Sequence, residues 1–388
     1  SSVASIQAIY ALMWPQRSTR SAFPVGSPSP LPHRSTRKIA RICGLAFLAV
    51  VELISIVSHS GVAMAGSYAP VGQRPSQHYP KYLEQLPSMI GKTVVVTGFS
   101  RGLGFVTALS LAKKGASVIL LNRRSARSER AHTEIADAAS GPPPQFVACD
   151  LLDFATVREA ARSVKDFTAD GLDVLCCNAG IMLQADEASR DGYDITISTN
   201  SLSHFLLAKE LMPELNKAAA LKGEARIVSH SSLSGFGPPA FDWRFFARKG
   251  GNLGGQAASY ERYHQSKLAN LIFTAALHDK LRARGSNVKA LACTPGVCGS
   301  DMFVHAISSM RPGQAVDVSS VPSVEDGSMP QLKCICDPLV QSGELFTPPR
   351  AGGPPVKVDL GPPQILVDDE SKAKLWEACE RAVGSFPI

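Results

Sequence analysis

Residues 97–104 read TGFSRGLG, directly after the β-branched run Thr93–Thr97 and before a stretch whose apolar residues recur at helical spacing. The first glycine of such a turn permits a tight change of direction, and the later ones let a phosphate group and the following helix approach the backbone. A glycine pattern is weak by itself, but its place between a strand and a helix makes it specific. The segment predicts a site for a dinucleotide pyrophosphate.

Buried strands and amphipathic helices alternate along the chain after residue 91. Apolar runs predict further strands at Ser117–Leu121, Gln145–Cys149, Leu172–Cys177, Arg226–Ser231 and Val288–Cys293, with helical patterns between them. Continuous apolar strands between helices indicate a parallel sheet covered on both faces. We predict an α/β fold with a doubly wound parallel sheet, formed as one domain by residues 91–388, with ligands beyond the carboxyl ends of the strands.

The sequence YHQSK at residues 263–267 places a phenol and an ammonium group on one face of a predicted helix. Free tyrosine has a pKa of about 10 and exchanges protons poorly near neutrality. We expect Lys267 to stabilise the phenolate and to lower the pKa of Tyr263. A tyrosine that carries a proton, beside a cofactor that carries a hydride, can interconvert a carbonyl and an alcohol.

These motifs together resemble the short-chain dehydrogenase/reductase family, which implies a Rossmann-like fold and a nicotinamide cofactor. The matching positions occur in the family's order and are the turn at 97–104, Asp150, Asn178, Ala179, Gly180, Asn200, Ser231, Ser232, Tyr263, Lys267, Pro295 and Gly296. The continuation KLAN at residues 267–270 and the sequence LWE at 375–377 further resemble the retinol dehydrogenase and protochlorophyllide reductase branch.

The resemblance implies a role for each residue of the catalytic set. Tyr263 would donate or accept the proton, and Lys267 would hydrogen-bond the nicotinamide ribose. Ser232 would hold the substrate oxygen, and Asn200 would anchor a water that returns protons through Lys267. His204, His230 and His264 are interpreted as structural or solvated side chains and are assigned no role.

The predicted cofactor contacts surround the carboxyl ends of the strands. They are Gly98, Ser100, Arg101, Gly102, Leu103, Gly104, Arg123, Asp150, Leu151, Asn178, Ala179, Gly180, Tyr263, Lys267, Pro295, Gly296, Cys298 and Ser300. Four positions depart from the family pattern: Phe99 replaces a small residue, Ser203 replaces a common Gly, and Cys298 and Ser300 replace Val and Thr. Because Ser300 keeps a hydroxyl, we expect binding of the nicotinamide carboxamide to survive.

The residues after the second strand indicate which dinucleotide is bound. An NAD site usually shows a carboxylate there, which accepts from the ribose 2′-hydroxyl. This chain has Asn122, Arg123 and Arg124 instead, and Arg101 in the glycine-rich turn. Guanidinium groups suit a 2′-phosphate. We therefore predict NADP(H).

Three functions remain open from the sequence. The favoured one is NADP(H)-dependent interconversion of a lipophilic carbonyl and an alcohol. An aromatic segment at 234–259 either covers an apolar substrate or packs as a surface loop. The alternatives are a protochlorophyllide-type double-bond reductase and a non-catalytic, NADP-binding assembly subunit. The sequence does not predict the substrate, the reaction direction or the oligomeric state.

Charge and cysteine content exclude other classes of function. Six of the net +7 charges lie within residues 1–51, which contain no acidic residue, so the remainder is nearly neutral. A nearly neutral body lacks the basic surface that phosphate backbones require, and we predict no nucleic-acid binding. The nine cysteines include no C-x-x-C pair and mostly end apolar runs. We interpret them as reduced core thiols and predict no metal site.

The N-terminal part of the chain resembles a targeting sequence. Residues 1–65 are rich in Ser and Arg, then contain a short apolar stretch within 42–57 and an Ala-Met-Ala cleavage pattern at 63–65. We predict a presequence that directs the protein to a plastid, with the secretory pathway and endoplasmic reticulum membrane as the alternative. Membrane association could involve this segment or the aromatic segment. Prolines without apolar periodicity predict a linker at 66–90.

Overall fold

The apolar runs form a central sheet in the computed structural model, which describes residues 72, 74–238, 240–310, 315–349, 353–358 and 367–388. Among these residues the strands are β1 (Thr93–Thr97), β2 (Ser117–Asn122), β3 (Gln145–Ala148), β4 (Val174–Cys177), β5 (Ala225–His230), β6 (Val288–Cys293), β7 (Leu345–Thr347) and β8 (Val356–Val358). Their order across the sheet is β3-β2-β1-β4-β5-β6-β7-β8, and every pair is parallel except β7–β8. The predicted doubly wound fold is confirmed.

Helices connect the strands. They are α1 (Tyr79–Gln85), α2 (Gly102–Lys113), α3 (Ala126–Asp137), α4 (Phe154–Lys165), α5 (Ser203–Lys222), α6 (Ser259–Ala283), α7 (Asp301–Met310), α8 (Val324–Cys336) and α9 (Asp369–Val383). Side-chain caps define several starts: Asp153 accepts from the backbone of α4, and Ser323 accepts from that of α8. A π-helical turn, Ser198–Leu202, precedes α5.

Residues 66–90 were predicted to be a linker, but the part of this segment that the structure describes contains a helix and is attached to the domain. Helix α1 lies within it, and the Asp326 carboxylate of α8 accepts hydrogen bonds from the backbone N–H groups of Gln77, His78 and Tyr79 at 2.9–3.0 Å. Because Asp326 caps the start of α1 from 247 residues away in sequence, no local pattern could reveal this attachment.

The targeting prediction falls outside the described residues. Residues 1–65 and the apolar stretch within 42–57 belong to the part that the structure does not describe. In the described ranges, none of the helices combines the length and apolarity needed to cross a membrane.

The carboxyl ends of the parallel strands carry the predicted site. The sheet order places β1 and β4 side by side although they are not consecutive, which creates the switch point where open α/β sheets bind ligands. The segments after β1, β4, β5 and β6 hold most of the predicted residues, and the Tyr263–Lys267 segment of α6 packs beside them.

Candidate active site

The glycine-rich turn is closed on one side and open on the other. Gly98 has a φ of +75°, and a Cβ there would come 2.8 Å from the Cα of Ala179. At Gly104 a Cβ would come 2.3 Å from the Asn178 amide nitrogen. Gly102, with a φ of +61°, would point a Cβ into open space. The turn therefore packs against the end of β4 and leaves the N-terminus of α2 accessible, which fits a pyrophosphate.

Asn178 fastens the end of β4 to this turn. Its side-chain amide donates to the Thr97 carbonyl at 2.8 Å, and its backbone N–H donates to the Thr97 hydroxyl at 3.0 Å. The N–H of Ala179 donates to the same hydroxyl at 3.0 Å. The Asn178 side chain is thus used to shape the floor of the predicted groove, and a Cβ at Gly180 would come 3.3 Å from Lys267 Nζ.

Tyr263 lies at the centre of the predicted catalytic set. Its side chain is buried, and the nearby Ser232 side chain interacts with its hydroxyl. The hydroxyl also donates to the Met302 sulfur at 3.7 Å, and Lys267 Nζ lies 5.8 Å from the centre of the tyrosine ring. The structure therefore brings Tyr263, Ser232 and Lys267 together as the sequence predicted.

The electrostatic prediction for this set is wrong in its direction. Burial raises the pKa of Tyr263 above its ordinary value, and the hydrogen bond with Ser232 only partly opposes the shift. Burial also lowers the pKa of Lys267 to about 8. The reason is that both groups are shielded from water, which disfavours the charged form of each.

Asn200 holds the segment beneath Lys267. Its amide oxygen accepts from the Ile181 N–H at 2.8 Å, and its amide nitrogen donates to the Ile181 carbonyl at 3.0 Å and the Ser266 hydroxyl at 2.9 Å. Lys267 Nζ donates to the His230 carbonyl at 3.1 Å. Both amide hydrogens of Asn200 and one lone pair of its amide oxygen are thus used to connect the Ile181 segment to α6.

His204, interpreted from the sequence as structural or solvated, is a buried residue that connects two parts of the predicted site. Its Nδ1 lies 3.2 Å from the Asn200 carbonyl oxygen, and its Nε2 lies 2.9 Å from the Thr97 hydroxyl. A carbonyl only accepts hydrogen bonds, so Nδ1 carries the proton and Nε2 accepts from Thr97. Burial lowers the pKa of His204 to about 4, which keeps the ring neutral at pH 7. His204 thereby joins the groove floor to the Asn200 turn.

The three arginines near the adenosine end differ in their partners. Arg101 forms an ion pair with Asp301 at 2.7 Å. Arg124 pairs with Glu129 at 2.7 Å, and its guanidinium lies over the Phe146 ring at 4.6 Å. Arg123 is exposed directly after β2. Because Arg124 is already paired, Arg123 stays the predicted contact for a 2′-phosphate among the two arginines after β2.

Asp150 and Leu151 shape the loop after β3. The Asp150 carboxylate accepts from the Leu152 N–H at 3.0 Å, and the Leu151 carbonyl accepts from the Ser203 hydroxyl at 2.6 Å. Ser203, where the family has a common Gly, thus ties this loop to the start of α5.

The loop after β6 contains the remaining predicted contacts. Gly296 has a φ of +66°, and Pro295 precedes it. Burial raises the pKa of Cys298 to about 11, so the thiol stays protonated at pH 7. The Ser300 hydroxyl accepts from the Phe303 N–H at 3.3 Å, which starts α7. Ser100 and Leu103 of the opposite turn are half-buried.

The aromatic segment at 234–259 packs into the protein. Phe241, Phe245 and Phe246 are buried, and the short helix Trp243–Phe246 contacts α9. Trp243 is 46% exposed. This arrangement agrees with a packed surface loop rather than a cover over substrate.

Comparison with known proteins identifies the family. Residues 92–311 match the family model for short chain dehydrogenases. The chain belongs to the short-chain dehydrogenase family. A relative of 31% identity, human dehydrogenase/reductase SDR family member 13, aligns over 76% of this chain and 74% of its own length. Mouse retinol dehydrogenase 13 is 29% identical over 87% of this chain and 94% of its own length. The resemblance to the retinol dehydrogenase branch is confirmed.

Other relatives match a smaller part. An uncharacterized oxidoreductase of Schizosaccharomyces pombe is 35% identical over 229 residues, which cover 58% of this chain and 65% of that protein, just under two thirds of its length. Among solved structures, an uncharacterized protein from Mycobacterium paratuberculosis aligns with a TM-score of 0.61 and 28% identity, over 81% of this chain and all of its own. A short-chain dehydrogenase from Shigella flexneri complexed with NADP shares the fold, with a TM-score of 0.52 and 21% identity over 68% of this chain and 99% of its own.

Proposed function

We propose that this short-chain dehydrogenase is an NADP(H)-dependent oxidoreductase that interconverts a lipophilic carbonyl and the corresponding alcohol. The observation that carries the proposal is the position of the Tyr263 hydroxyl. The hydroxyl interacts with the nearby Ser232 side chain, Lys267 Nζ lies 5.8 Å from the centre of the tyrosine ring, and a small apolar cluster surrounds the tyrosine. Bound NADPH would supply the hydride, and the residues of the chain would supply the proton and hold the substrate.

The residues present fit a phosphorylated dinucleotide. Gly102 leaves open space at the N-terminus of α2, where a pyrophosphate binds best. Arg123 and Arg101 are exposed beside the adenosine end and suit a 2′-phosphate. The Shigella flexneri relative with this fold was solved with NADP, which supports the choice of cofactor.

Proton transfer would run through Tyr263. Because burial raises its pKa, the tyrosine keeps its proton at neutral pH and is suited to donate it to a carbonyl oxygen. Ser232 would hydrogen-bond that oxygen and hold it in reach. Lys267 would offset the negative charge that develops on the tyrosine oxygen. This set of groups favours reduction of the carbonyl.

The apolar residues around the tyrosine favour a lipophilic substrate. Met182, Tyr263 and Ala306 form a buried apolar cluster, against which Leu183, Tyr260 and Met302 pack. Relatives named polyprenol dehydrogenase and retinol dehydrogenase 13 take their names from lipophilic alcohols, which supports this substrate class.

The test is a binding titration followed by a substrate screen. NADPH and NADH are titrated by fluorescence, and then retinoid, polyprenol, steroid, fatty aldehyde and quinone substrates are screened by the loss of NADPH absorbance. We expect tighter binding of NADPH and turnover in the dark. Turnover only under illumination would indicate double-bond reduction of the protochlorophyllide type. NADPH binding without turnover of any substrate would favour a non-catalytic subunit.

We also propose that residues 1–65 direct the protein to a plastid. The Ser- and Arg-rich composition followed by a short apolar stretch supports this. A reporter fused to residues 1–70 should enter plastids, whereas a reticular signal would favour the secretory pathway.

A further inference from the structure

An ion pair joins the two loops that border the predicted dinucleotide groove. Arg101 lies in the glycine-rich turn after β1, and Asp301 is the first residue of α7, after β6. The guanidinium Nη1 lies 2.7 Å from the carboxylate, and both side chains are more than half exposed. Neither residue has to leave a buried position to change partner.

The pair spans the carboxyl ends of two intervening strands. In the sheet, β4 and β5 separate β1 from β6. With neighbouring strands about 4.8 Å apart, the ends of β1 and β6 are separated by about 14 Å. Arg101 and Asp301 therefore meet across the region that a dinucleotide running from the glycine-rich turn toward Tyr263 would have to cross.

The residue next to Asp301 contacts the proposed catalytic tyrosine. Met302 accepts a hydrogen bond from the Tyr263 hydroxyl through its sulfur at 3.7 Å. Ala306, one turn further along α7, belongs to the same apolar cluster as Tyr263. In the first turn of α7, Asp301 thus pairs with Arg101, and the adjacent Met302 contacts the Tyr263 hydroxyl.

We propose that Asp301 sets both the affinity for the dinucleotide and the access to Tyr263. The negatively charged pyrophosphate and 2′-phosphate of NADP(H) attract the Arg101 guanidinium and repel the Asp301 carboxylate. Binding of the dinucleotide separates the ion pair, and α7 loses the tether that keeps Met302 on Tyr263. This inference rests on the proposed function because it takes the dinucleotide as the ligand.

The first experiment measures binding of NADP⁺ and NAD⁺ by calorimetry to the full chain and to Asp301→Asn. The matched control is Glu159→Gln, because Glu159 forms a similarly exposed pair with Arg162 at 2.8 Å on α4. An exposed ion pair is worth little, so we expect D301N to tighten NADP⁺ binding by about 1.5- to 5-fold and E159Q to leave it unchanged. Unchanged or weaker binding by D301N would overturn the proposal.

The second experiment tests the cover over Tyr263 and requires no cofactor. Dilute hydrogen peroxide converts accessible methionines to sulfoxides, which mass spectrometry quantifies. In D301N we expect Met302 to oxidise faster than in the wild type, while Met329, which is 1% exposed, serves as the internal reference. Equal rates of Met302 oxidation in D301N, E159Q and the wild type would overturn the proposal that the Arg101–Asp301 ion pair keeps Met302 on Tyr263.

The two experiments separate this inference from the proposed function. If the wild-type protein bound neither dinucleotide, the proposed function would fail and the inference with it. If the wild type bound NADP⁺ but D301N neither tightened binding nor exposed Met302, the inference alone would fail.

Discussion

Arg262 and Asp194 form an ion pair at 2.9 Å in which both side chains are completely buried. Arg262 immediately precedes Tyr263 and also donates to the backbone carbonyls of Leu253, Gly255 and Gln184. Burial raises the pKa of Asp194, and the hydrogen bonds and the guanidinium around it oppose that shift. The pair therefore fixes the start of α6, and with it the position of the tyrosine, relative to the segment before α5.

Arg262→Met should destabilise the protein strongly, because it leaves the Asp194 carboxylate buried without its partner. Breaking a buried ion pair costs about 3–5 kcal/mol. Urea unfolding monitored by circular dichroism measures the loss. Arg162→Met, which breaks the exposed Arg162–Glu159 pair, is the control and should change the unfolding free energy by less than about 1 kcal/mol. Equal effects of the two substitutions would show that burial of the first pair has no energetic consequence.

Lys267→Met should stabilise the protein at pH 7. Burial lowers the lysine pKa from 10.5 to about 8 in the folded chain. Between these values the unfolded chain binds a proton that the folded chain lacks, so the stability of the wild type rises with pH across this window. Below pH 8 the wild type bears the full cost of the buried charge. Removing the charged lysine should raise the free energy of unfolding at pH 7 by about 2–3 kcal/mol, after the lost hydrogen bond to the His230 carbonyl is counted.

Urea unfolding at pH 7 and pH 10 measures the change. The difference between Lys267→Met and the wild type should shrink as the pH rises, since the wild-type lysine then becomes neutral in the fold. Lys217→Met is the control because Lys217 is exposed on α5. A stability difference that is independent of pH, or a destabilised variant at pH 7, would contradict the assignment of a desolvated lysine.

Arg123→Asp should weaken the binding of NADPH much more than that of NADH. Loss of a charge-assisted hydrogen bond to the 2′-phosphate corresponds to about 10- to 100-fold in the dissociation constant. The matched control is Arg124→Asp, because Arg124 is already paired with Glu129 and packed over Phe146. Fluorescence titration with each dinucleotide distinguishes the two variants. Equal losses of NADPH and NADH binding in Arg123→Asp would reject a phosphate contact.

The sequence predicted the parallel core of the fold well, because that core depends on local patterns. The β-branched run at Thr93–Thr97 and the apolar runs after it form buried strands. The last two strands were missed, since each has only three residues. Helix α8 was also missed because Pro330 lies inside it. Its single capping residue, Ser323, is too weak a signal to predict a helix against an internal proline.

The sequence predicted which residues of the site lie close together, but it did not predict how burial shifts their pKa values. Tyr263, Lys267 and Ser232 come together because α6 and the end of β5 pack against each other. Burial raises the pKa of Tyr263, and its hydroxyl donates a hydrogen bond to the Met302 sulfur of α7, 39 residues away in sequence. His204 joins Thr97 to Asn200 through contacts 107 and 4 residues apart in sequence, and the first has no local pattern. Local sequence patterns cannot predict such tertiary contacts.

The most direct test of the central claim is single-turnover reduction of a lipophilic aldehyde by prebound NADPH, compared between the wild type, Tyr263→Phe and Tyr260→Phe. Tyr260 packs against the same cluster, so its phenylalanine variant removes a neighbouring hydroxyl while keeping the ring. Loss of a general acid lowers the rate by about 10²- to 10⁴-fold. We predict such a loss for Y263F with NADPH binding intact, and a near wild-type rate for Y260F. Equal rates for Y263F and the wild type would contradict the assignment of Tyr263 as the proton donor.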